Sequence, residues 1–218
     1  EKIVIRNAEA NTELPVVGRE GIVAKLLGTD LVITDGEKNL ALGGVKGGLD
    51  SGISDDTCDI VIEVANFNPI AVRKTARRLG LLSDSAKRFE NDLSPTLCDF
   101  GMLELSALLT DLLPEATFED IVDIYPVQQK ERVISFTRTH IEKVLGTEIT
   151  DQDFENILMK YDYSYTKKGS EYMMIVPPLR LDLLGAADMA EEIGRVYGYD
   201  KVTPQIPKIN FAPKHNEK

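Results

Sequence analysis

Cysteine and histidine are nearly missing from this sequence, and so are long apolar runs and any surplus of positive charge. Two cysteines occur in 218 residues, Cys58 and Cys98, widely spaced and in no CxxC pattern. A disulfide framework or a thiolate zinc site is therefore not expected, and a reducing, cytoplasmic setting is. The two histidines are His140, on a predicted helix, and His215, in the tail. Neither has a Ser, Cys or Asp partner at a diagnostic spacing, so triad chemistry and histidine-bound metal find no support. No apolar run reaches the roughly 18 residues of a membrane span. No signal peptide is visible, and a start at Glu1 rather than Met leads us to expect a true N-terminus upstream. Lysine and arginine total 25 against 36 acids, a formal charge of −11. Gripping a phosphate backbone requires clustered cations, so binding to duplex DNA is not expected, and any contact with RNA would be local or assisted by other domains.

What is present looks like ordinary globular protein, 43% hydrophobic and 28% charged. The length suits one large domain or two modest ones. The first third carries short β-rich runs: IVIR at 3–6, LVITDG at 31–36, NLALGGV at 39–45 and DIVIEVANF at 59–67. Asp35-Gly36 between two of them signals a hairpin. Asn68-Pro69 predicts a helix entrance, a cap followed by proline at the first position, and Gly80 predicts its stop. A second helix is expected from Ser94-Pro95 to a stop before Pro114. FEDIVDIY, 118–125, is expected to close the unit as a strand. Because the strands cluster early, the class is α+β.

The polar, proline-headed segment PVQQKER at 126–132 marks a boundary between domains at 1–127 and 128–203. Beyond it VISF opens a strand, and THIEKVLG is a short helix ended by Gly146. Thr150 caps a helix whose Phe154, Ile157, Leu158 and Tyr161 form an i, i+3, i+4, i+7 stripe. DYSYT and YMMIV form a hairpin across Lys167-Lys168-Gly169-Ser170. A last helix, about 186–197, ends near Gly198. Helices followed by a small hairpin outline a winged-helix-like domain. Residues 204–218 are expected to be a linker or tail.

Four stretches could carry chemistry. ALGGVKGGLDSG, 41–52, holds five glycines, but no GK[ST] follows and the spacing fails GxGxxG. Either a strand ends there in a glycine turn, or missing side chains let a ligand approach the backbone. In DIVIEVANF, alternation puts Val61, Glu63 and Ala65 on one face. Glu63 is then either solvated or aimed into a pocket, where it would need a donor. RKTARRLGLLSDSAKR, 73–88, sets six cations against Asp84. It is a solvated helix surface or a local landing place for phosphate, with no aromatics for base stacking. Asp182, Asp188, Glu191 and Glu192 come last, with 188, 191 and 192 on one side of a helix. Oxygen ligands suit magnesium; acids in a first helical turn also suit the helix dipole.

Taken in order, ALGGVKGG, IEVANFNP and RKTARRLGLLSDSAKRFE resemble the β-subunit family of bacterial phenylalanyl-tRNA synthetases. VPPLRLDLLGAADMAEEIGRVYGYDKV resembles the domain that follows the editing domain in that family. The resemblance covers nearly the whole chain. It implies a partial mixed α/β editing domain followed by the winged-helix-like one. It also implies a parent α2β2 heterotetramer that joins phenylalanine to tRNA-Phe with ATP and magnesium, the ATP not being bound by this chain. The editing domain would hydrolyse tyrosyl-tRNA made in error. By motif match Gly47 lines the editing pocket, Glu63 recognises the tyrosine hydroxyl, and Ser83 and Ser85 fall on the pocket wall. Asp182, Asp188, Glu191 and Glu192 fall on magnesium-associated carboxylates of a site shared with the α subunit. A family segment bearing a pocket histidine is expected upstream of Glu1, so the chain alone is expected to be inactive or poorly active. Lys46 stands where the family has an apolar residue, Ser85 where it has alanine, and Glu90-Asn91-Asp92 where it has Glu-Arg-Gly. The alternative is a non-catalytic module that contacts tRNA or the α subunit.

Overall fold

The computed structural model describes residues 2–18, 21–204 and 206, so the expected tail, His215 included, lies almost wholly outside the described residues. The chain forms two compact units that divide between Gln129 and Lys130. Short sheets and helices occur in both, and the class is α+β.

In the first unit, β1 (Val4–Asn7), β4 (Leu31–Thr34), β5 (Asn39–Leu42) and β6 (Lys46–Gly47) build an antiparallel sheet in that order, while β2 (Glu13–Pro15) and β3 (Val23–Lys25) form a separate hairpin. The β4–β5 turn follows from Asp35-Gly36. Gly36 takes φ +105°, and the Asp35 carboxylate accepts the amides of Glu37 and Lys38 at 2.8 and 2.7 Å. Those amides hold the Asp35 pKa below its ordinary value. Helix α1 (Pro69–Leu79) starts where Asn68 Oδ1 accepts the amides of Ile70 and Ala71, and ends on Gly80 in the left-handed region. Its Val72 and Ala76 join Leu14, Leu26, Val32, Leu42 and Phe67 in the core. Asp30 is buried with them. It accepts from Thr75 Oγ1 and the Leu27 amide, both at 2.7 Å, and pairs with Arg78.

Helix α2 (Asp84–Phe89), capped by Ser83, went unseen in the sequence, and helix α3 (Leu97–Leu112) follows. Residues 59–67 and 118–125, expected as strands, pair with no strand among the described residues. Alternation predicts which side chains share a face. It does not supply the neighbouring strand that a ladder requires.

The second unit runs β7 (Arg132–Thr137), α4 (Arg138–Leu145), α5 (Asp151–Lys160), β8 (Tyr165–Lys168), β9 (Glu171–Val176) and α6 (Ala186–Tyr197). The sheet order is β7-β9-β8, with β9 central and antiparallel to both neighbours. Phe154, Ile157 and Leu158 of α5, Ile141 of α4, and Met189 and Ile193 of α6 pack with Phe136, Tyr172 and Met174 of the sheet. Thr150 caps α5 through the Asp153 amide, and Gly146 closes α4 at φ +72°.

Candidate functional site

The glycine loop joins β5 to β6 and continues past it. Its glycines serve two ends. A Cβ on Gly44 would stand 2.9 Å from both Phe67 Cδ2 and Val72 Cγ2, and one on Gly43 would stand 3.0 Å from Phe67 Cε1. The space at these positions is therefore filled by the protein's own Phe67 and Val72 rather than kept for a ligand ring. Gly48 is tighter still, since a Cβ there would stand 2.5 Å from the Leu40 carbonyl oxygen. Gly47 differs. It is exposed, and a Cβ would meet only Val17 Cγ2, at 4.0 Å.

Ser83 and Ser85 are brought to this loop. Ser83 Oγ donates to the Val45 carbonyl at 2.6 Å and accepts the Ala86 amide at 3.0 Å, so one hydroxyl both caps α2 and pins the loop. Ser85 Oγ donates to the Gly44 carbonyl at 3.1 Å. The hydroxyl where the resembling family has alanine is thus spent on the backbone.

Glu63 is not tied to that group. Among the described residues no hydrogen bond or ion pair links it to Gly47, Ser83 or Ser85. Its surroundings lie along α3 instead: Val64 Cγ1 would stand 3.1 Å from a Cβ on Gly101, and the Glu63 charge helps raise the Cys98 thiol pKa, after desolvation and Asp99 and Asp123. Residue 63 is exposed as a whole, yet its carboxyl is crowded enough that desolvation lifts its pKa above the ordinary value.

The basic stretch 73–88 is partly committed within the unit. Arg78 donates to the Lys25 carbonyl at 2.9 Å besides pairing with Asp30, Arg77 lies 3.9 Å from Glu90, and Lys87 pairs with Asp84 at 3.2 Å. Arg73, Lys74 and Arg88 are exposed. The pairs of Arg77 and Lys87 are exposed and weak, so both stay open to a phosphate beside those three.

In the second unit the four carboxylates take separate roles. Glu192 is buried on α6, with Oε1 accepting Arg180 Nη2 at 2.9 Å and Arg195 Nη1 at 3.1 Å, and Oε2 accepting Arg180 Nη1 at 3.0 Å and the Tyr163 hydroxyl at 3.4 Å. Asp182 receives Arg180 in a fork, Nε at 2.9 Å and Nη2 at 2.7 Å. The guanidinium holds both carboxyls below their usual range. Asp188, third residue of α6, accepts the amides of Leu184 and Gly185, each at 2.8 Å, and so caps the helix. Glu191 is exposed. Among the described residues no group of three or more His, Cys, Asp or Glu side chains is gathered to hold a metal ion. The expected magnesium set therefore does not converge. Arg180 is the residue the sequence reading passed over, although it sits two positions before Asp182.

The sequence has counterparts among known proteins. The B3/4 domain profile matches residues 1–114, and the tRNA synthetase B5 domain profile matches 134–199. The chain is 35% identical over 213 residues to the phenylalanine–tRNA ligase beta subunit of Thermotoga maritima, covering 96% of this chain and 26% of that protein. It is 31% identical over 201 residues to the beta subunit from Clostridium acetobutylicum, with 92% and 25% covered. Against the Protochlamydia amoebophila beta subunit it is 35% identical over 221 residues, with 98% and 27% covered. The chain spans about a quarter of the length of these curated relatives.

Proposed function

The chain belongs to the B3/4 domain family and carries a tRNA synthetase B5 domain after it, and from that premise we propose that it is the editing-side portion of a phenylalanine–tRNA ligase beta subunit. The observation that carries this reading is the pairing of both domains, in order, with beta subunits that match over nearly the whole chain. In the proposed role the parent α2β2 enzyme charges tRNA-Phe in the cytoplasm with ATP and magnesium, and the first unit hydrolyses Tyr-tRNA-Phe. No helix among the described residues is long and apolar enough to cross a membrane.

A synthetic site for phenylalanine discriminates weakly against a substrate larger by one hydroxyl, so a second, hydrolytic site is the physical remedy. Gly47 is open to solvent on a loop pinned by Ser83 and Ser85, which supports a rigid rim there. Water is the proposed nucleophile, placed by the site and its substrate. Glu63 would accept the tyrosine hydroxyl. A hydrogen bond to a charged group is worth about 1.5–3 kcal/mol, so Glu63→Ala in the assembled full-length enzyme should slow Tyr-tRNA-Phe hydrolysis by roughly 10- to 150-fold. Phenylalanine charging should be unchanged. Hydrolysis at the unaltered rate would remove Glu63 from the site.

One observation favours a second reading. Glu63 lies by α3, with no hydrogen bond or ion pair to the glycine loop among the described residues, and Phe67 fills part of the loop's space. A module that contacts tRNA or the α subunit without editing would show both features. The same deacylation assay on the unaltered enzyme separates the readings, because such a module leaves Tyr-tRNA-Phe intact.

A further inference from the structure

We infer that Arg180 is the resident cation of the acidic cluster in the second unit, standing where a divalent ion would otherwise be expected, and that this unit takes up no magnesium through Asp182, Asp188, Glu191 and Glu192. The inference concerns the second unit alone and holds whether or not the first unit edits.

The argument is an accounting of oxygens. Arg180 gives Nε and Nη2 to the two oxygens of Asp182, and Nη2 and Nη1 to the two oxygens of Glu192. One planar guanidinium thus bridges two carboxylates, and its Nη1 also donates to the Tyr163 hydroxyl at 2.6 Å. Arg195 adds a second cation to Glu192 at 3.1 Å. Two guanidinium groups offset the charges of Asp182 and Glu192, so the negative charge left in the cluster is that of Asp188 and of exposed Glu191. Asp188 Oδ2 is taken by two helix-start amides.

Magnesium demands near-octahedral oxygens at about 2.0–2.1 Å and gives up its waters reluctantly. To reach Glu192 it would first have to displace Arg180, which holds both oxygens of a carboxylate whose side chain is only 4% exposed, whereas Arg195 engages Oε1 alone. What the cluster does instead is fasten three parts of the unit. Arg180 and Asp182 belong to the segment between β9 and α6, Tyr163 lies just before β8, and Glu192 is on α6. Tyr161 joins them by donating its hydroxyl to the Glu192 carbonyl at 3.0 Å, with its ring stacked on Tyr163 at 4.9 Å.

The test uses the whole 218-residue chain with magnesium, and manganese as its paramagnetic stand-in. The wild-type chain should melt at the same temperature in magnesium chloride as in sodium chloride of equal ionic strength. Manganese at sub-millimolar concentration should leave the amide resonances of Asp182, Asp188, Glu191 and Glu192 no broader than other exposed acidic segments. Arg180→Met should create the site, with selective, saturable broadening of those amides that magnesium reverses. Because Arg180→Met strands a buried carboxylate, Arg180→Met with Glu192→Gln supplies a folded control, which should show no broadening. Saturable broadening at these amides in the wild-type chain would overturn the inference. So would a folded Arg180→Met chain that still ignores both ions, since Arg180 would then not be what excludes them.

Discussion

The two units solve the same problem with different completeness. The second closes a core around a three-stranded sheet, with Phe154, Leu158, Met174, Met189 and Ile193 essentially without solvent contact. The first buries both faces of β4, with Val32, Ile33 and Thr34 all enclosed, yet leaves α3 with no buried residue and leaves Ile60, Val61, Ile121, Val122 and Ile124 exposed. Both units draw on similar local signals, apolar periodicity and well-formed caps. The difference is that in the second unit α4, α5 and α6 each bury a face against the sheet or one another, whereas α3 carries apolar side chains that meet too little. Burial, rather than propensity, is what makes a helix stable in a protein.

The largest test of that contrast is a pair of truncations. Phe154→Ala in the closed core should cost about 3–5 kcal/mol, because a fully packed ring is removed and its cavity remains. Leu103→Ala on α3, where the side chain is 67% exposed, should change stability by no more than about 0.5 kcal/mol. Urea titration of the whole chain, followed by amide resonances of each unit, checks both. Equal losses would mean that α3 is as tightly packed as α5, and the contrast would collapse.

Each unit also buries one carboxylate against arginine, Asp30 with Arg78 and Glu192 with Arg180. Arg78→Ala leaves Asp30 buried with only Thr75 and the Leu27 amide as partners. The loss should be about 3 kcal/mol, the low end for a broken buried pair, because the arginine itself is one-third exposed. A much smaller effect in the same urea experiment would show that the first unit admits water to Asp30.

A third test sharpens the comparison through pH. Burial, with Glu192 nearby, pushes the Tyr163 phenol up to about 12 from an ordinary 10.0, although Arg180 acts the other way. Between those values the unfolded chain has lost its phenolic proton while the folded chain keeps it. Stability of the second unit should therefore fall as pH rises from 10 to 12, and Tyr163→Phe should remove that part of the decline. A decline of the same size in the Phe variant would assign it to other groups.

Much of this architecture was legible in the residues themselves, and the limits have physical causes. Asn68-Pro69, Thr150, Gly80 and Gly146 fixed helix ends because capping is a local hydrogen-bond problem. Asp35-Gly36 fixed a hairpin for the same reason. Helix α2 was hidden because its six residues, DSAKRF, are too few to show a period. Residues 59–67 and 118–125 alternate as strands do, but pairing depends on a neighbour that alternation does not name. At the candidate site, Ser83 and Ser85 were found through resemblance, whereas their loop-pinning bonds to Val45 and Gly44 span long sequence separations and leave no local mark. Phe67 was invisible as the filler of Gly43 and Gly44 for that reason too. Arg180 was readable in principle, as a cation two residues from Asp182, but a run of carboxylates invites a metal reading before an internal counter-ion is sought.

The smallest expected effect concerns Glu63, where the stability and functional arguments pull apart. Desolvation raises its pKa, so the folded chain holds this proton more tightly than the unfolded chain, whose value is near 4.5. The ionised form then costs stability at every pH above the folded pKa, and the cost fades as pH falls toward 4.5. Glu63→Gln should raise the urea midpoint of the first unit slightly at neutral pH and flatten its dependence on pH in the acid range. The second unit should be unmoved. In the proposed editing role, a carboxylate that weakens its own domain is what a polar group held for a substrate should look like, since the substrate hydroxyl would supply its hydrogen-bond donor. If Glu63→Gln instead lowers the midpoint, the carboxylate is stabilising the fold around α3, and its place in an editing pocket is the weaker reading.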